Sequence, residues 1–457
     1  MAETSYDTIV IGSGPGGYVA AIRAAQLGMK TAVVEKDQVG GRCLNYACIP
    51  AKAVLRTADV LQEVRDADEF GLKVAAPEVD YPAVMARREK VIKTLTGGVS
   101  GLFKKNGVEL VEGEARLSGG GQVTVNGTAL SAKTIVLATG SVGRPIPGAQ
   151  FGGRVIGTEE AWALDALPQS MAVVGAGASG AEIASAYARL GTDVLLFEAL
   201  DRVLPTEDPD ISKVAERQLK RQGIKLHTKT FVENVESTDS GVRFSFGGEQ
   251  GEVEWLVIAA GRGADVDALG LADAGVEVDP ATGLIKVDGR LRTTAAGIYA
   301  IGDLVPGPAL AHKASDEGVI AVEDASGLET HPIEYIDIPR ATFCTPNVAS
   351  FGLTEQEARD AGHDVVVGKV QYGAVGAGTV YGDRTGLIKI VGEKKYGELL
   401  GGHIVGSKST ELIQELVNVR ALEGGYMEVA RMIHGHPTLS EAVMEAARAA
   451  DGWLIHG

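Results

Sequence analysis

The sequence is short of several things, and each shortage excludes something. No apolar run approaches the roughly 18 residues that a membrane-spanning helix needs. The start, Met1-Ala-Glu-Thr-Ser-Tyr-Asp, lacks the basic flank and apolar stretch of a secretory signal. A cytoplasmic protein with no membrane role is therefore expected. Lys and Arg number 43 against 60 Asp and Glu, a formal net charge of −17. That charge repels phosphate polymers and anionic membranes, so nucleic acid is not an expected partner. Cysteines number only three, Cys43, Cys48 and Cys344, too few for a secreted disulfide scaffold. What is abundant is glycine, 61 of 457 residues, about twice the usual share. Without a collagen period, that excess points to tight turns and to backbone pressed close to a ligand. A chain this long predicts about three domains.

Residues 6–11, Tyr-Asp-Thr-Ile-Val-Ile, read as a strand ending at Gly12-Ser-Gly-Pro-Gly-Gly17. A helical pattern follows through Leu27, then a second strand, Thr31-Ala-Val-Val-Glu35. In such a βαβ unit the glycines permit the turn and let the backbone approach a pyrophosphate, at which the helix N-terminus points partial positive charge. Glu35, at the end of the second strand, is placed to accept from a ribose 2′-hydroxyl. The arrangement recurs: Met171-Ala-Val-Val leads into Gly175-Ala-Gly-Ala-Ser-Gly180, a helix through Leu190, and Asp193-Val-Leu-Leu-Phe-Glu198. Glu198 follows Gly180 at the same interval as Glu35 follows Gly17. Two dinucleotide sites in one chain predict electron transfer between them.

Thr134-Ile-Val-Leu-Ala-Thr-Gly140 and Trp255-Leu-Val-Ile-Ala-Ala-Gly261 read as strands that close a domain at glycine. Gly297-Ile-Tyr-Ala-Ile-Gly302-Asp303 ends another strand. Its carboxylate either holds a sugar-alcohol hydroxyl or only forms a turn. From about Asp337 no nucleotide motif appears, and strand-like stretches are followed by amphipathic helices. The fold class expected is α/β, two Rossmann-like dinucleotide-binding domains followed by an α+β domain.

Between these units stands Gly40-Gly-Arg-Cys43-Leu-Asn-Tyr-Ala-Cys48-Ile-Pro50-Ala-Lys52. The Cys-x4-Cys spacing is not that of a zinc site, and no second pair completes four ligands, so no metal is expected. On a regular helix the two Cα atoms would lie roughly 8.6 Å apart, beyond the ~6.8 Å a disulfide tolerates. A bond between them needs a distorted turn, for which Pro50 is one source because it biases Ile49 away from helical angles. Two buried cysteines without a bond are the competing reading.

These residues together resemble the flavin disulfide reductases, the class I pyridine nucleotide-disulfide oxidoreductases, over essentially the whole chain. The likeness rests on Gly-x-Gly-x-x-Gly-Tyr, Gly-Gly-x-Cys-Leu-Asn-x-x-Cys-Ile-Pro-x-Lys and the second glycine fingerprint with Glu182. It rests also on Ala-Ile-Gly-Asp303, Leu310-Ala-His-Lys-Ala and His434-Gly-His436-Pro-Thr-Leu-Ser-Glu441. The resemblance implies an FAD-binding domain at 1–145 and 266–336, an NAD-binding domain at 146–265 and an interface domain at 337–457. It implies a redox-active Cys43–Cys48 disulfide, with Cys48 the sulfur nearest the flavin and Cys43 exchanging with a dithiol substrate. Lys52 would lie near the flavin ring, paired with Glu182. Gly12, Gly14, Gly17 and Glu35 would hold the FAD pyrophosphate and adenosine, aided by Ala115, Thr139, Gly140, Asp303 and Ala311. Gly175, Gly177, Gly180, Glu198 and Gly261 would hold the nicotinamide dinucleotide. A carboxylate at 198 repels a 2′-phosphate, so NAD is expected over NADP; nearby Arg202 is read as a surface residue.

In the family the histidine matching His436 takes and returns the dithiol's protons, the matching Glu441 orients its ring, and the pair reaches the other subunit of a homodimer. Thr438-Leu-Ser-Glu441 is also a capping box, so Glu441 could simply close a helix, and His434 is a competing base. The branch most resembled oxidises dihydrolipoamide, carried on the lipoyl domain of a 2-oxo-acid dehydrogenase or glycine-cleavage complex. Glutathione-type and mercuric reductases are rivals, as is a mainly docking role in such a complex. Tyr46, Ala47, Ala51 and Asn347 depart from the common residues at their positions. Cys344 is expected to be buried.

Overall fold

The computed structural model describes residues 4–457, so the Met1-Ala-Glu stretch read for a targeting signal lies outside the described residues. The chain forms two compact units, one of residues 1–53, 83–144 and 261–335, the other of 54–82, 145–260 and 336–457.

In the first unit the strands Glu109–Glu112, Thr31–Glu35, Thr4–Ile11, Thr128–Leu137 and Ile298–Ala300 lie side by side and parallel. Strands Ala115–Gly119 and Gln122–Val125 extend the sheet as an antiparallel meander. The strand Thr31-Ala-Val-Val-Glu35 is buried throughout, as expected where helices cover both faces of a parallel sheet. The helices Pro15–Gln26 and Ala311–Ala325 pack in parallel with their backbones close together. A Cβ on Gly16 would lie 2.9 Å from the Ala314 carbonyl oxygen, and one on Gly318 2.6 Å from that of Gly16. Arg23 pairs with Glu323 one turn before the far ends.

The second unit repeats the pattern: strands Lys225–His227, Asp193–Phe197, Ser170–Val174, Trp255–Ile258 and Val155–Ile156 are all parallel. Residues 54–82, assigned from the sequence with 1–145, group here instead. The reason is a set of polar ties: Asp59 pairs with Arg189 and accepts from Thr345, Arg65 donates to the Arg189 carbonyl, and the Tyr81 and Tyr187 hydroxyls meet at 3.1 Å.

The same unit holds a five-stranded antiparallel sheet, in order Arg340–Thr342, Val348–Gly352, Leu399–Val405, Leu387–Glu393, Val365–Gln371. Helices Ser409–Ala421, Tyr426–Arg431 and Ser440–Ala450 cover one face through Leu416, Val429, Ala442, Val443 and Ala446. Gly368 lets the last helix press onto the sheet, since a Cβ there would stand 1.8 Å from the Ala446 carbonyl oxygen. This contact fixes the helix that carries Glu441. The architecture is the α/β class expected, two Rossmann-like sheets and a C-terminal α+β region. Among the described residues no helix is long and apolar enough to cross a membrane.

Candidate active site

The two glycine loops are built alike. Gly12 and Gly175 have φ of +98° and +103°, the left-handed region that favours glycine. A Cβ on Gly17 would lie 1.9 Å from the Gly12 carbonyl oxygen, and one on Gly180 1.8 Å from that of Gly175. Only glycine permits either approach. At the middle glycines, Gly14 and Gly177, which cap helices Pro15–Gln26 and Ala178–Leu190, a Cβ would meet nothing within 4 Å. Open space at a helix N-terminus is what a pyrophosphate requires. The strand-end acids match as well. Glu35 accepts from Ser13 N at 2.8 Å and Asp37 N at 2.9 Å, and Glu198 from Ala176 N at 2.8 Å and Leu200 N at 2.9 Å. Each carboxylate thus clamps its glycine loop to the end of its second strand.

Past the end of the second strand a cavity of about 480 Å³ opens beside Glu35, walled by Val39, Leu110 and Glu112 and by Lys93 and Thr96 of helix Tyr81–Asn106. It lies in the size range of cofactor sites. Because helices Pro15–Gln26 and Ala311–Ala325 run parallel, their N-termini stand together: Ser315 Oγ reaches the Pro15 carbonyl at 3.4 Å. Two dipoles therefore point partial positive charge at one place. Asp303 lies in the turn Gly302–Leu304 and accepts from Ser141 Oγ, which in turn accepts from Arg262 Nε at 2.9 Å. Thr139 Oγ1 donates to the Asp265 carbonyl at 2.6 Å, Gly140 takes φ +78°, and Gly261 accepts from Arg144 N at 3.1 Å. Ala115 is a buried strand residue and Ala311 the first residue of its helix. The turn at Gly302 is braced by a pair missed in the sequence, buried Lys313 and Glu317, which bond the Gly302 carbonyl and N–H at 2.8 and 2.7 Å. The i, i+4 spacing was the available signal.

The cysteines occupy two helices, Gly41–Asn45 and Cys48–Arg65, broken at Tyr46, whose φ is −128°. Distortion was expected at Pro50, but Ile49 is helical and the break falls earlier. Pro50 sits in the first turn, where a backbone donor has no partner to lose. Cys43 and Cys48 are thiols sharing a hydrogen bond, which with burial raises the Cys43 pKa; Lys52 and Arg42 lie close enough to oppose that rise. Tyr18 is also within electrostatic reach, its phenol pushed up by burial and then by Cys43. The short helix is pinned to the first glycine loop. Gly40 N donates to Ser13 Oγ at 3.2 Å, and a Cβ on Gly41 would stand 2.7 Å from Gly14 Cα. Tyr46 donates to Asp37 at 2.7 Å. Asn347 donates to the Cys344 carbonyl at 2.9 Å, and Cys344 is buried.

In the second unit, Glu182 lies buried on helix Ala178–Leu190 and accepts from Phe343 N at 2.8 Å. Arg202, expected on the surface, is half-buried and turned to the Pro205 carbonyl and Asp201. His436 Nδ1 faces Glu441 Oε1 at 2.9 Å, and its side chain is 75% exposed. Between them Thr438 Oγ1 folds back on the Gly435 carbonyl at 2.7 Å. The rival His434 has Nδ1 3.0 Å from the Met432 carbonyl and Nε2 2.5 Å from Glu415 Oε1. Both neighbours are acceptors, so the bound ring carries two protons and has no lone pair to act as a base. Glu415 is also the main cause of its raised pKa. Among the described residues no cluster of His, Cys, Asp and Glu could hold a metal ion.

A family model described as pyridine nucleotide-disulphide oxidoreductase matches residues 6–318, and the dimerisation domain of the same description matches 338–447. A dihydrolipoyl dehydrogenase of Rhizobium etli is 41% identical, covering 100% of both chains. A dihydrolipoyl dehydrogenase of Thermus scotoductus is 42% identical over 99% of both. Among solved structures, LpdA from Mycobacterium tuberculosis superposes with a TM-score of 0.90 at 27% identity, covering 97% of this chain and 99% of its own.

Proposed function

The chain belongs to the pyridine nucleotide-disulphide oxidoreductase family, and we propose that within it the chain is an FAD- and NAD-dependent dihydrolipoyl dehydrogenase. The observation that carries this reading is the Cys43–Cys48 contact, pinned by Gly40 and Gly41 to a dinucleotide loop. In the oxidised form the two sulfurs are bonded. His436 Nε2 takes the proton of one substrate thiol; the resulting thiolate attacks Cys43 Sγ, and the Cys43–Cys48 bond breaks with Cys48 leaving as thiolate. The second substrate thiol then displaces Cys43 and gives it its proton, releasing lipoamide and leaving the protein's pair reduced as a Cys43 thiol and a Cys48 thiolate. FAD supplies, when bound, the two-electron acceptor through which NAD+ is reduced to NADH.

Each assignment has its support. Cys48 stands in the first turn of helix Cys48–Arg65, where the dipole favours a thiolate, while Cys43 keeps its proton. Glu441 on Nδ1 leaves Nε2 of His436 for the substrate. Gly14, Gly17 and Glu35 suit FAD, with Ala115, Thr139, Gly140, Asp303, Ala311 and Lys52 around it; Gly177, Gly180 and Glu198, with Glu182 and Gly261, suit the nicotinamide dinucleotide. Arg202 turned to Pro205 offers no ready partner for a 2′-phosphate, which supports NAD over NADP. The match of residues 338–447 to a dimerisation domain supports a homodimer, across which His436 would serve the partner's cysteines. The substrate we propose is the dihydrolipoyl group of a lipoyl domain in a 2-oxo-acid dehydrogenase or glycine-cleavage complex, met in the cytoplasm.

The test is NAD+ reduction by free dihydrolipoamide, with the yellow protein titrated anaerobically. Turnover abolished by Cys48→Ser supports the reading. A wild type that fails to reduce NAD+, or prefers NADP+, defeats it.

A further inference from the structure

One residue from each strand of the C-terminal sheet lines up in register: Arg340 opposite Ser350, Ser350 opposite His403, His403 opposite Lys389, Lys389 opposite Lys369. Paired residues point to the same face, and this face is opposite the one covered by helix Ser440–Ala450, against which the neighbouring Gly368 packs. The segment Glu207-Asp208-Pro209-Asp210 lies on the row. Glu207 faces Arg340 at 3.6 Å, and Lys389 Nζ meets Asp208 and Asp210 at 2.8 Å and Glu355 at 2.9 Å. Lys369 takes Asp210 at 2.6 Å. Lys389 is 2% exposed and Asp208 fully buried. Burial alone would lower the lysine's pKa, but the three carboxylates outweigh it and keep it charged.

That acidic segment is the far end of the turn that begins at Glu198. Asp208 caps helix Pro209–Arg221 by accepting from Asp210 N, while Glu207 N and Ser212 Oγ both donate to the Leu204 carbonyl, at 2.9 and 3.1 Å. Leu204 N donates to the Ala176 carbonyl at 2.8 Å, and Ala176 N donates to Glu198. Leu204 is buried with φ +47°, a conformation that a leucine keeps only when its surroundings impose it. A continuous series of bonds therefore joins the basic row to the second glycine loop and its strand-end acid.

We propose that Lys389 is a positioning residue for the nicotinamide dinucleotide. Through Asp208 it holds the Leu204 turn, and with it the loop and carboxylate that take the pyrophosphate and ribose. The inference rests on the reading of Glu198 and its loop as the NAD site. It assigns no role to Lys389 in dithiol chemistry.

The experiment compares wild-type holoenzyme with Lys389→Met, measuring NADH affinity by fluorescence titration, KM for NAD+ and for dihydrolipoamide, and kcat. The expected result is a rise of about tenfold in the NADH Kd and the KM for NAD+, in the range of ordinary coupling between sites. The KM for dihydrolipoamide and kcat at saturating NAD+ stay near wild type. A merely structural role would lower yield or melting temperature without this split. Because Lys389→Met leaves the buried Asp208 carboxylate without its cation and could prevent folding, Asp208→Asn is the second variant. It keeps a good helix cap and leaves the lysine two partners, yet loosens the turn and raises the NADH Kd in the same direction. Wild-type NADH affinity in either folded variant overturns the proposal. A wild type that binds no NADH defeats the NAD reading itself, a failure visible before any variant is made.

Discussion

Glu441 divides its two oxygens between His436 and the chain that follows it: Oε1 lies 2.9 Å from His436 Nδ1, and Oε2 accepts from Thr438 N at 2.8 Å. The sequence left two roles for this glutamate, helix closure and ring orientation, as alternatives. One carboxylate makes both contacts. The second half of the capping box is missing because Thr438 Oγ1 turns to the Gly435 carbonyl and Ser440 instead. The hydroxyl tightens the loop under His436, and the glutamate holds the residue just before the helix cap.

Glu441→Gln separates the two roles. An amide oxygen still accepts from Thr438 N, so stability falls by no more than about 1 kcal/mol. The charge facing His436 is lost, and kcat with dihydrolipoamide falls by up to about a hundredfold, within what a well-placed base contributes. The pH profile supplies the sign. Burial raises the Glu441 pKa, but the bonds from Thr438 and His436 outweigh it and leave it below the usual value. Its support is present above that usual value and is lost as pH falls through the lowered one. A variant whose kcat matches wild type across pH 6–8 would leave only the cap.

The features legible in the sequence are those whose chemistry fixes spacing within a short stretch. The glycine loops, their acids, the cysteine pair and the His436–Glu441 helix entry each occupy a few consecutive positions, and the resemblance rests on them. The Lys389 row was hidden for the opposite reason. Its five residues lie on five strands and are joined only by register, and nothing within one strand marks them out. Gly318 was likewise unread, and Gly41 was read only as part of the cysteine motif, because their need for glycine comes from distant partners, Gly16 and Gly14. The helix break was misplaced at Pro50 because proline is disruptive inside a helix and harmless in its first turn. Residues 54–82 follow polar partners that sequence proximity does not reveal.

Alanine at the two third glycines should divide the cofactors. In Gly17→Ala the new methyl would stand 1.9 Å from a carbonyl oxygen, and in Gly180→Ala 1.8 Å. Relieving either overlap costs about 1–3 kcal/mol locally and displaces the loop. Gly17→Ala should purify with little flavin, read as the ratio of absorbance near 450 nm to that near 280 nm. Gly180→Ala should stay yellow and bind NADH weakly. Gly177→Ala has open space around its methyl, so it should fold like wild type and lose affinity only because the ligand comes there. Normal NADH binding in Gly177→Ala would refute the use of that space.

His434 should stabilise the protein most at low pH. Glu415 raises its folded pKa above the unfolded value of about 6.5. Its contribution is complete below that value and disappears as pH rises through the raised one. His434→Asn should therefore lower the melting temperature at pH 6, by the equivalent of about 1 to 2 kcal/mol for a charge-assisted hydrogen bond, and much less at pH 9. Glu415→Gln should show the same pH trend. Equal losses at both pH values would mean that packing, not the imidazolium, is what His434 provides.

The cysteines are similar in sequence and unequal in place. Cys48 begins a helix of 18 residues, so its sulfur lies in the field of unpaired N–H groups, whereas Cys43 is the third residue of a five-residue helix and has its pKa raised by Cys48 and burial. When the pair loses one proton, the thiolate is therefore expected on Cys48. In Cys43→Ser a serine hydroxyl can still donate to that thiolate. The oxidised flavoprotein should then show long-wavelength absorbance at neutral pH without any reductant, and the band should fade as pH falls and Cys48 is protonated. Cys48→Ser removes the thiolate and should show no band at any pH, although it keeps the other sulfur and binds flavin normally. The opposite result, a band in Cys48→Ser and none in Cys43→Ser, would exchange the two roles: Cys43 would face the flavin, and dihydrolipoamide would attack Cys48.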